Sequence, residues 1–342
     1  MVPARVLTAD RFARPLRDLR VSVTDRCNFR CPYCMPAEVF GEDHAFLPRP
    51  ELLRYEEIVR IAGVAASLGA RKVRITGGEP LMRRDLPVLI EQLARTPGIE
   101  DLALTTNGYF LAEQAKALAA AGLRRVTVSL DSIDPETFRR LNGREHGPER
   151  VLAGIEAALA AGLTPVKINC VVVRGVNDRN FVDVARYFTD DRITVRFIEF
   201  MDVGTMNRWS PEQVVRAEEI RERLDRAFGL EPLEPAYRGE VATRYRRRHG
   251  GGEIGIVASV TAPFCRDCTR LRLSSDGKLV TCLFAADGVD IKGPLRAGAS
   301  DEQLRQIIAS VWSARADRYS EERAERLGLS PRKKMEMYRL GG

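Results

Sequence analysis

Histidine is scarce in this chain of 342 residues: only His44, His146 and His249 occur, far apart from one another. No H-x3-H or similar pair exists to build a histidine-based metal centre. No apolar run approaches the ~20 residues that a membrane-spanning helix needs. The opening stretch MVPARVLTADRFARPLRDLR also lacks the apolar core of a secretory signal. These absences lead to the expectation of a cytoplasmic protein, off the membrane, whose thiols stay reduced.

What is present suits a globular chain of one large domain or two ordinary ones, with 44% hydrophobic and 30% charged residues. The formal charge of +7 and pI near 9.1 admit either a nucleic acid or a small polyanion as partner. Cysteine separates the possibilities better. Six of the seven fall into two tight groups, which in a reducing compartment argues for metal rather than disulfides. The segment DRCNFRCPYC carries Cys27, Cys31 and Cys34; a second group comprises Cys265 and Cys268 as C-x2-C, with Cys282 further on. Each group has three members, whereas a site closed by protein alone normally has four. Three thiolates imply a metal with one position left open.

Apolar strand segments occur at 20–24, 72–76, 101–107, 125–131, 165–172 and 194–200. Helical patterns lie between them at Tyr55–Leu68, Leu86–Arg95, Leu111–Ala121, Arg150–Ala161 and Phe181–Phe188, and another follows near Val214–Phe228. Strand alternating with helix predicts a parallel α/β domain. Because the pattern changes near residue 232, short of the ~250 residues of an eight-fold barrel, the expectation is an open, partial barrel of six units, a (β/α)6 arrangement in residues 1–232 with its core at about 19–232. Residues 233–342 then form a β-rich extension, including a hairpin turning at Asp276-Gly277.

Alternation within the strands reports on the lumen. Val21 and Val23 oppose Arg20, Ser22 and Thr24; Val73 and Ile75 oppose Lys72, Arg74 and Thr76. Val126, Val128 and Leu130 oppose Arg125, Thr127, Ser129 and Asp131, while Val166 and Ile168 oppose Lys167 and Asn169. Parallel strands covered on both faces usually read as continuous apolar runs. Here the apolar faces are expected to meet the helices and the polar faces to line a cavity, whose cations need water or anions around them. An exposed polar sheet face is the plainer alternative. Cys170 points with Val166 and Ile168 and reads as a core thiol.

A structural zinc would leave two thiolates unexplained, and a thioredoxin-like pair at Cys31 and Cys34 explains neither Cys27 nor the distant trio. Two clusters, each on three cysteines with one iron open, use all six. At this point the chain resembles the radical S-adenosylmethionine superfamily, through CNFRCPYC and the TGGEP at 76–80. Within it, DRCNFRCPYCMP, RITGGEPLMR, TTNG, SLDS, RFIEFMDVG, FCRDCTRLRLSSDGKL and the terminal GG are similar to the GTP 3′,8-cyclase family, from about Leu19 to Gly342.

That resemblance implies a TIM-like incomplete barrel and two 4Fe-4S clusters, with Cys27, Cys31 and Cys34 holding the one that cleaves S-adenosylmethionine, and Cys265, Cys268 and Cys282 holding the one that binds the purine. It implies conversion of GTP to (8S)-3′,8-cyclo-7,8-dihydroguanosine 5′-triphosphate, the first step of molybdenum cofactor biosynthesis. Tyr33, Gly78, Ser129 and Met201 are assigned to S-adenosylmethionine, with Glu79 facing its ammonium group. Arg20, Arg74, Thr105, Lys167, Arg270, Leu271 and Arg272 are assigned to the nucleotide, joined by Lys72 and Arg196 through their strand positions. Arg270 and Arg272 are also given a part in the reduction step, and Gly341-Gly342 a place threaded into the active site, where a frayed tail is the plainer reading. An external low-potential electron donor, a downstream cyclic pyranopterin monophosphate synthase and a homodimer complete the implied partners. The Arg-rich RYRRRHGGG at 244–252 is expected to be a solvated loop rather than an RNA site. A radical S-adenosylmethionine enzyme acting on RNA or a peptide, and a nonenzymatic zinc- or cluster-bearing module, remain the alternative readings.

Overall fold

The computed structural model describes residues 8–41, 43–237, 239–326 and 333–341. Strand β1 (Asp18–Ser22) is followed by α1 (Tyr55–Ser67), β2 (Lys72–Thr76), α2 (Leu86–Ala94), β3 (Asp101–Thr106), α3 (Leu111–Ala120) and β4 (Arg125–Ser129). Next come α4 (Pro135–Asn142), α5 (Glu149–Ala160), β5 (Val166–Val172), α6 (Phe181–Tyr187), β6 (Ile193–Glu199) and α7 (Ala217–Phe228). The apolar stripe of α1, with Ile58, Ile61, Ala62 and Ala65, is fully buried against the apolar strand face that carries Val21, Val73 and Ile75. The chain reverses after α1 at Gly69, whose φ of 117° suits a residue without Cβ.

Six strands run parallel in chain order, as the alternation of patterns anticipates. The chain beyond residue 232 enlarges this sheet from both edges. At one edge β7 (Leu230–Leu233), β8 (Thr243–Arg247) and β9 (Glu253–Val257) form an antiparallel meander, and β9 lies parallel to β6. At the other, β10 (Arg270–Leu273) lies parallel to β1, with β11 (Lys278–Val280) and β12 (Val289–Asp290) antiparallel beyond it. The order is β12-β11-β10-β1-β2-β3-β4-β5-β6-β9-β8-β7, so the free edges are β12 and β7 and no ladder among the described residues joins them. The result is a curved parallel sheet left open at one seam, an incomplete barrel with a C-terminal extension.

The hairpin turns where the Asp276-Gly277 pair predicts, with Gly277 at φ 83°. The Arg-rich segment corrects an expectation. It contains strand β8 rather than only a loop, because cross-strand partners neutralise it: Arg244 pairs with Glu253 at 2.6 Å and Arg246 with Glu231 at 3.0 Å. Arg247 is buried and donates to the carbonyls of Ala185 and Phe188. After β12 come α8 (Lys292–Arg296), α9 (Asp301–Ser313), α10 (Tyr319–Arg326) and α11 (Met337–Leu340), which the strand-centred reading did not resolve. Helix α9 closes over α1, with Trp312 fully buried and an Arg60–Asp301 pair at 2.7 Å.

Candidate functional site

The loops that follow the parallel strands gather the motifs at the C-terminal end of the sheet, where barrels place their chemistry. The first trio follows β1, TGGEP follows β2, TTNG follows β3, SLDS follows β4, and Met201 follows β6. The second trio arrives from the added edge: Cys265 begins the turn ahead of β10, and Cys282 follows β11, returned to its partners by the hairpin. All six cysteines line one cavity of about 310 Å³. Their thiols are free, in two sets of three. Among the described residues no three His, Cys, Asp or Glu side chains close on a single ion. Each thiolate of a cluster takes a different iron, so three thiolates leave one iron of a cube without a protein ligand. The donor set therefore suits two clusters, each one ligand short of closure by protein.

Cys268 stands apart from the other buried thiols: burial and Asp317 raise Cys282 of its own trio to about 11. Burial, with Glu79 adding to it, pushes the Cys27 thiol up to about 12. Burial and the neighbouring thiols raise Cys31 and Cys34 as well. Burial would also raise Cys268, but Arg270, Arg315 and Arg272 outweigh it and hold that thiol at about 6. Arg270 donates to the Cys268 sulfur from Nε at 3.3 Å and from Nη2 at 3.2 Å.

Around the first trio, Tyr33, Gly78, Ser129 and Met201 all line the cavity. Tyr33 donates its hydroxyl to Asp131 at 2.5 Å, and Asp131 also accepts from the Val171 amide at 2.8 Å. Asn107 donates to Asn28 at 2.8 Å and reaches the Cys27 sulfur at 3.8 Å. Asp131 lines the cavity as its place on the polar strand face predicts, whereas Asn107 was not singled out from the sequence, although it shares the parity of Thr105. Glu79 is fully buried and accepts from the amides of Leu81 at 3.0 Å and Asn107 at 2.7 Å and from the Thr106 hydroxyl at 2.6 Å. Those bonds tie the β2 loop to the β3 loop, and burial raises the Glu79 carboxyl to about 7.

Between the trios stands a group of cations. Arg20, Arg74, Thr105, Arg196, Arg270 and Arg272 line the cavity. Arg74 donates to Thr105 and Thr127 at 3.0 Å each, and Arg196 donates twice to Asn169 Oδ1, at 2.9 and 2.6 Å. Arg272 is buried with Nε and Nη1 both lacking a hydrogen-bond partner. Burial lowers Arg272 to about 10, with Arg270 the next cause, and lowers Arg74 and Arg196 likewise to about 10, where all three keep their charge at neutral pH. Unpartnered buried guanidinium nitrogens are costly, and an anion in the cavity would satisfy them.

Two assigned lysines and one leucine stand outside that lining. Lys72 pairs with Asp18 at 3.4 Å and Asp101 at 4.0 Å near the strand starts. Lys167 is brought down to about 7 by burial and then by Arg196. Leu271 is buried in the core between the two arginines that face the lumen, leaving only its backbone for a ligand. Gly341 packs against the cavity-lining Thr76: a Cβ built there would fall 2.0 Å from Thr76 Cγ2, and its φ is 69°. Gly342 lies outside the described residues. Cys170 is fully buried, as expected.

The Radical SAM superfamily model matches residues 21–188, and the model described as Molybdenum Cofactor Synthesis C matches residues 193–321. A GTP 3′,8-cyclase of Acidothermus cellulolyticus is 54% identical over 92% of this chain and 88% of its own length. One of Staphylococcus aureus is 50% identical over 97% and 98%, respectively. Among solved structures, Streptococcus suis SuiB bound to S-adenosylmethionine aligns with a TM-score of 0.59 at 16% identity, covering 87% of this chain and 65% of that one, a likeness of fold.

Proposed function

The chain belongs to the GTP 3′,8-cyclase family of radical S-adenosylmethionine enzymes, and from that premise we propose how its own residues divide the work. The reaction is conversion of GTP to (8S)-3′,8-cyclo-7,8-dihydroguanosine 5′-triphosphate, the opening step of molybdenum cofactor biosynthesis, with S-adenosylmethionine and two 4Fe-4S clusters as cofactors. One observation carries the residue-level reading: two incomplete cysteine trios share a cavity with a cluster of buried arginines between them. When bound, the first cluster and S-adenosylmethionine supply the one-electron chemistry that removes the ribose 3′ hydrogen.

Cys27, Cys31 and Cys34 would hold that first cluster, and Tyr33, Gly78, Ser129 and Met201 would bound the S-adenosylmethionine beside it. Cys265, Cys268 and Cys282 would hold the second, whose open position suits the nucleobase. Arg20, Arg74, Thr105, Arg196, Arg270 and Arg272 receive the triphosphate and ribose, with Lys167 and Lys72 adding positive field from behind. Their task is orientation: a ribose fixed near the first trio reacts at one hydrogen only, and a cavity that excludes water protects the reactive intermediate. Arg270 and Arg272 stand beside the base end, where charge develops during reduction. Glu79 ties the loops together and would meet the ammonium group of S-adenosylmethionine. Residues 1–232 thus furnish the first cluster, the S-adenosylmethionine site and part of the nucleotide site, and residues 233–342 the second cluster with Arg270 and Arg272, with Gly341 beside the cavity-lining Thr76.

An external low-potential donor supplies electrons, a cyclic pyranopterin monophosphate synthase consumes the product, and the protein works in the cytoplasm as a homodimer. No helix among the described residues is long and apolar enough to cross a membrane. The decisive experiment uses GTP deuterated at the ribose 3′ position with reconstituted protein, a strong reductant and S-adenosylmethionine. Deuterium in the released 5′-deoxyadenosine is expected; its absence would remove the assigned abstraction site.

A further inference from the structure

Two buried arginines from opposite ends of the chain hold the second cysteine loop by its backbone. Arg315 Nη1 donates to the Cys268 carbonyl at 2.7 Å, and Arg14 Nη1 donates to the Cys265 carbonyl at 2.8 Å. Both side chains are almost wholly withdrawn from solvent, at 1% and 2% exposure. Two carboxylates fix their forks. Asp10 Oδ2 lies 2.5 Å from Arg14 Nε and 3.8 Å from Arg315 Nη1, while Asp317 accepts from Arg315 Nη2 at 3.0 Å and from its Nε at 3.1 Å. Trp312 completes the arrangement, donating from its indole to the Arg14 carbonyl at 3.0 Å and lying 4.7 Å beneath the Arg315 guanidinium.

A buried ion pair is weak evidence for stability, since desolvation offsets much of its attraction. The arrangement does impose geometry, because a planar guanidinium anchored on carboxylates has little freedom in where its remaining N–H bonds point. The first cysteine loop is also held by guanidinium groups on its carbonyls, though through other partners than carboxylates. Arg30 donates to the carbonyls of Cys27 at 2.7 Å and Phe29 at 2.8 Å, and Arg144 to that of Asn28 at 3.0 Å. Two loops unrelated in spacing are thus gripped alike, by guanidinium groups on the carbonyls of cysteines or their neighbours.

We propose that Arg14 and Arg315 are positioning residues for the second trio: by gripping the carbonyls of Cys265 and Cys268 they set the spacing at which those two sulfurs are presented, and so hold the second cluster in place. This rests on the two-cluster reading above. The fork is the working part and the charge is secondary, so lysine does not substitute: one ammonium cannot span Asp317 and the Cys268 carbonyl as Arg315 does, nor Asp10 and the Cys265 carbonyl as Arg14 does.

The test compares anaerobically reconstituted full-length wild type with Arg315→Lys, Arg315→Gln and Arg14→Lys. Iron and sulfide per chain, the rate of iron loss to a chelator and the electron paramagnetic resonance of the reduced protein are measured; reductive cleavage of S-adenosylmethionine serves as the first-site control. All three variants are expected to lose second-site iron ~10–100-fold faster than wild type, while the first-site signal still changes on adding S-adenosylmethionine. Wild-type iron retention in the lysine variants would overturn the proposal. A wild type that never holds more than one cluster would overturn the two-cluster reading, and the proposal with it. Should the variants fail to fold, amide hydrogen exchange on wild type decides: stripping the second cluster should speed exchange in residues 10–17 and 312–317, and unchanged exchange there would refute the grip.

Discussion

Gly78 and Arg26 leave each other no room: a Cβ built on Gly78 would lie 2.3 Å from the Arg26 carbonyl oxygen. The same oxygen accepts the Glu79 amide at 2.7 Å, and Gly78 donates to Thr24 at 2.7 Å, so the TGGEP loop is laid directly on the backbone leading into the first trio. Gly78→Ala must push the two loops apart. Cleavage of S-adenosylmethionine is expected to fall by ~10²-fold, the usual cost of displacing a reacting group by about 1 Å. Iron content should change little. Quantifying 5′-deoxyadenosine against iron per chain checks both.

Lys167 gives nucleotide binding a pH dependence. Burial and Arg196 hold its ammonium down at about 7 in the free protein, and a nearby phosphate raises it. Binding therefore takes up a proton above pH 7, and GTP affinity should fall as pH rises through 7, by up to about tenfold per pH unit until the bound value is reached. Calorimetry in buffers of different ionisation enthalpy reads that proton. Lys167→Gln should flatten the profile; an unchanged profile would refute the assignment.

Arg272 exchanges stability for binding. Its buried Nε and Nη1 lack partners in the ligand-free protein, whereas each charge-assisted bond to a bound anion is worth about 1.5–3 kcal/mol. Arg272→Met should weaken GTP by ~10–100-fold while leaving the melting temperature of the ligand-free protein equal or higher. Thermal scans with and without GTP separate the two effects.

The two trios should fail differently. Cys27→Ala, Cys31→Ala or Cys34→Ala is expected to abolish cleavage of S-adenosylmethionine, whereas Cys265→Ala should keep cleavage and lose productive GTP engagement. Parallel assays of 5′-deoxyadenosine and cyclised nucleotide test the division; equal survival of both activities in both classes would contradict it.

Strand alternation made much of the lumen legible. Arg20, Arg74, Ser129 and Asn169 line the cavity as their parity requires, and Cys170 is in the core. Parity reports a face but not a height along the strand, which is why Lys72 shares the face of Arg74 yet lies outside the lining, paired with Asp18 and Asp101 near the strand starts. Glu79 illustrates a second limit: its motif identifies the loop, whereas the amides of Leu81 and Asn107 that claim its oxygens emerge only when two loops meet. Arg244 and Arg246 read as a solvated run because their acidic partners sit across strands, visible only in register. Arg14 and Arg315 carry no motif at all, being 301 positions apart in sequence before Asp10 and Asp317 bring them together.

A sealed barrel has its bore dictated by strand number and shear. This one is unsealed, its sheet ending at β12 and β7, and one short stretch of chain ties its two arms: Arg323 donates to the Ser259 carbonyl just past β9 at 2.9 Å, and Arg315 donates to the Cys268 carbonyl just before β10. Side chains rather than sheet hydrogen bonds therefore set the girth of the reaction chamber, so substitutions at positions 315 and 323 can retune its width while leaving the strand ladder intact.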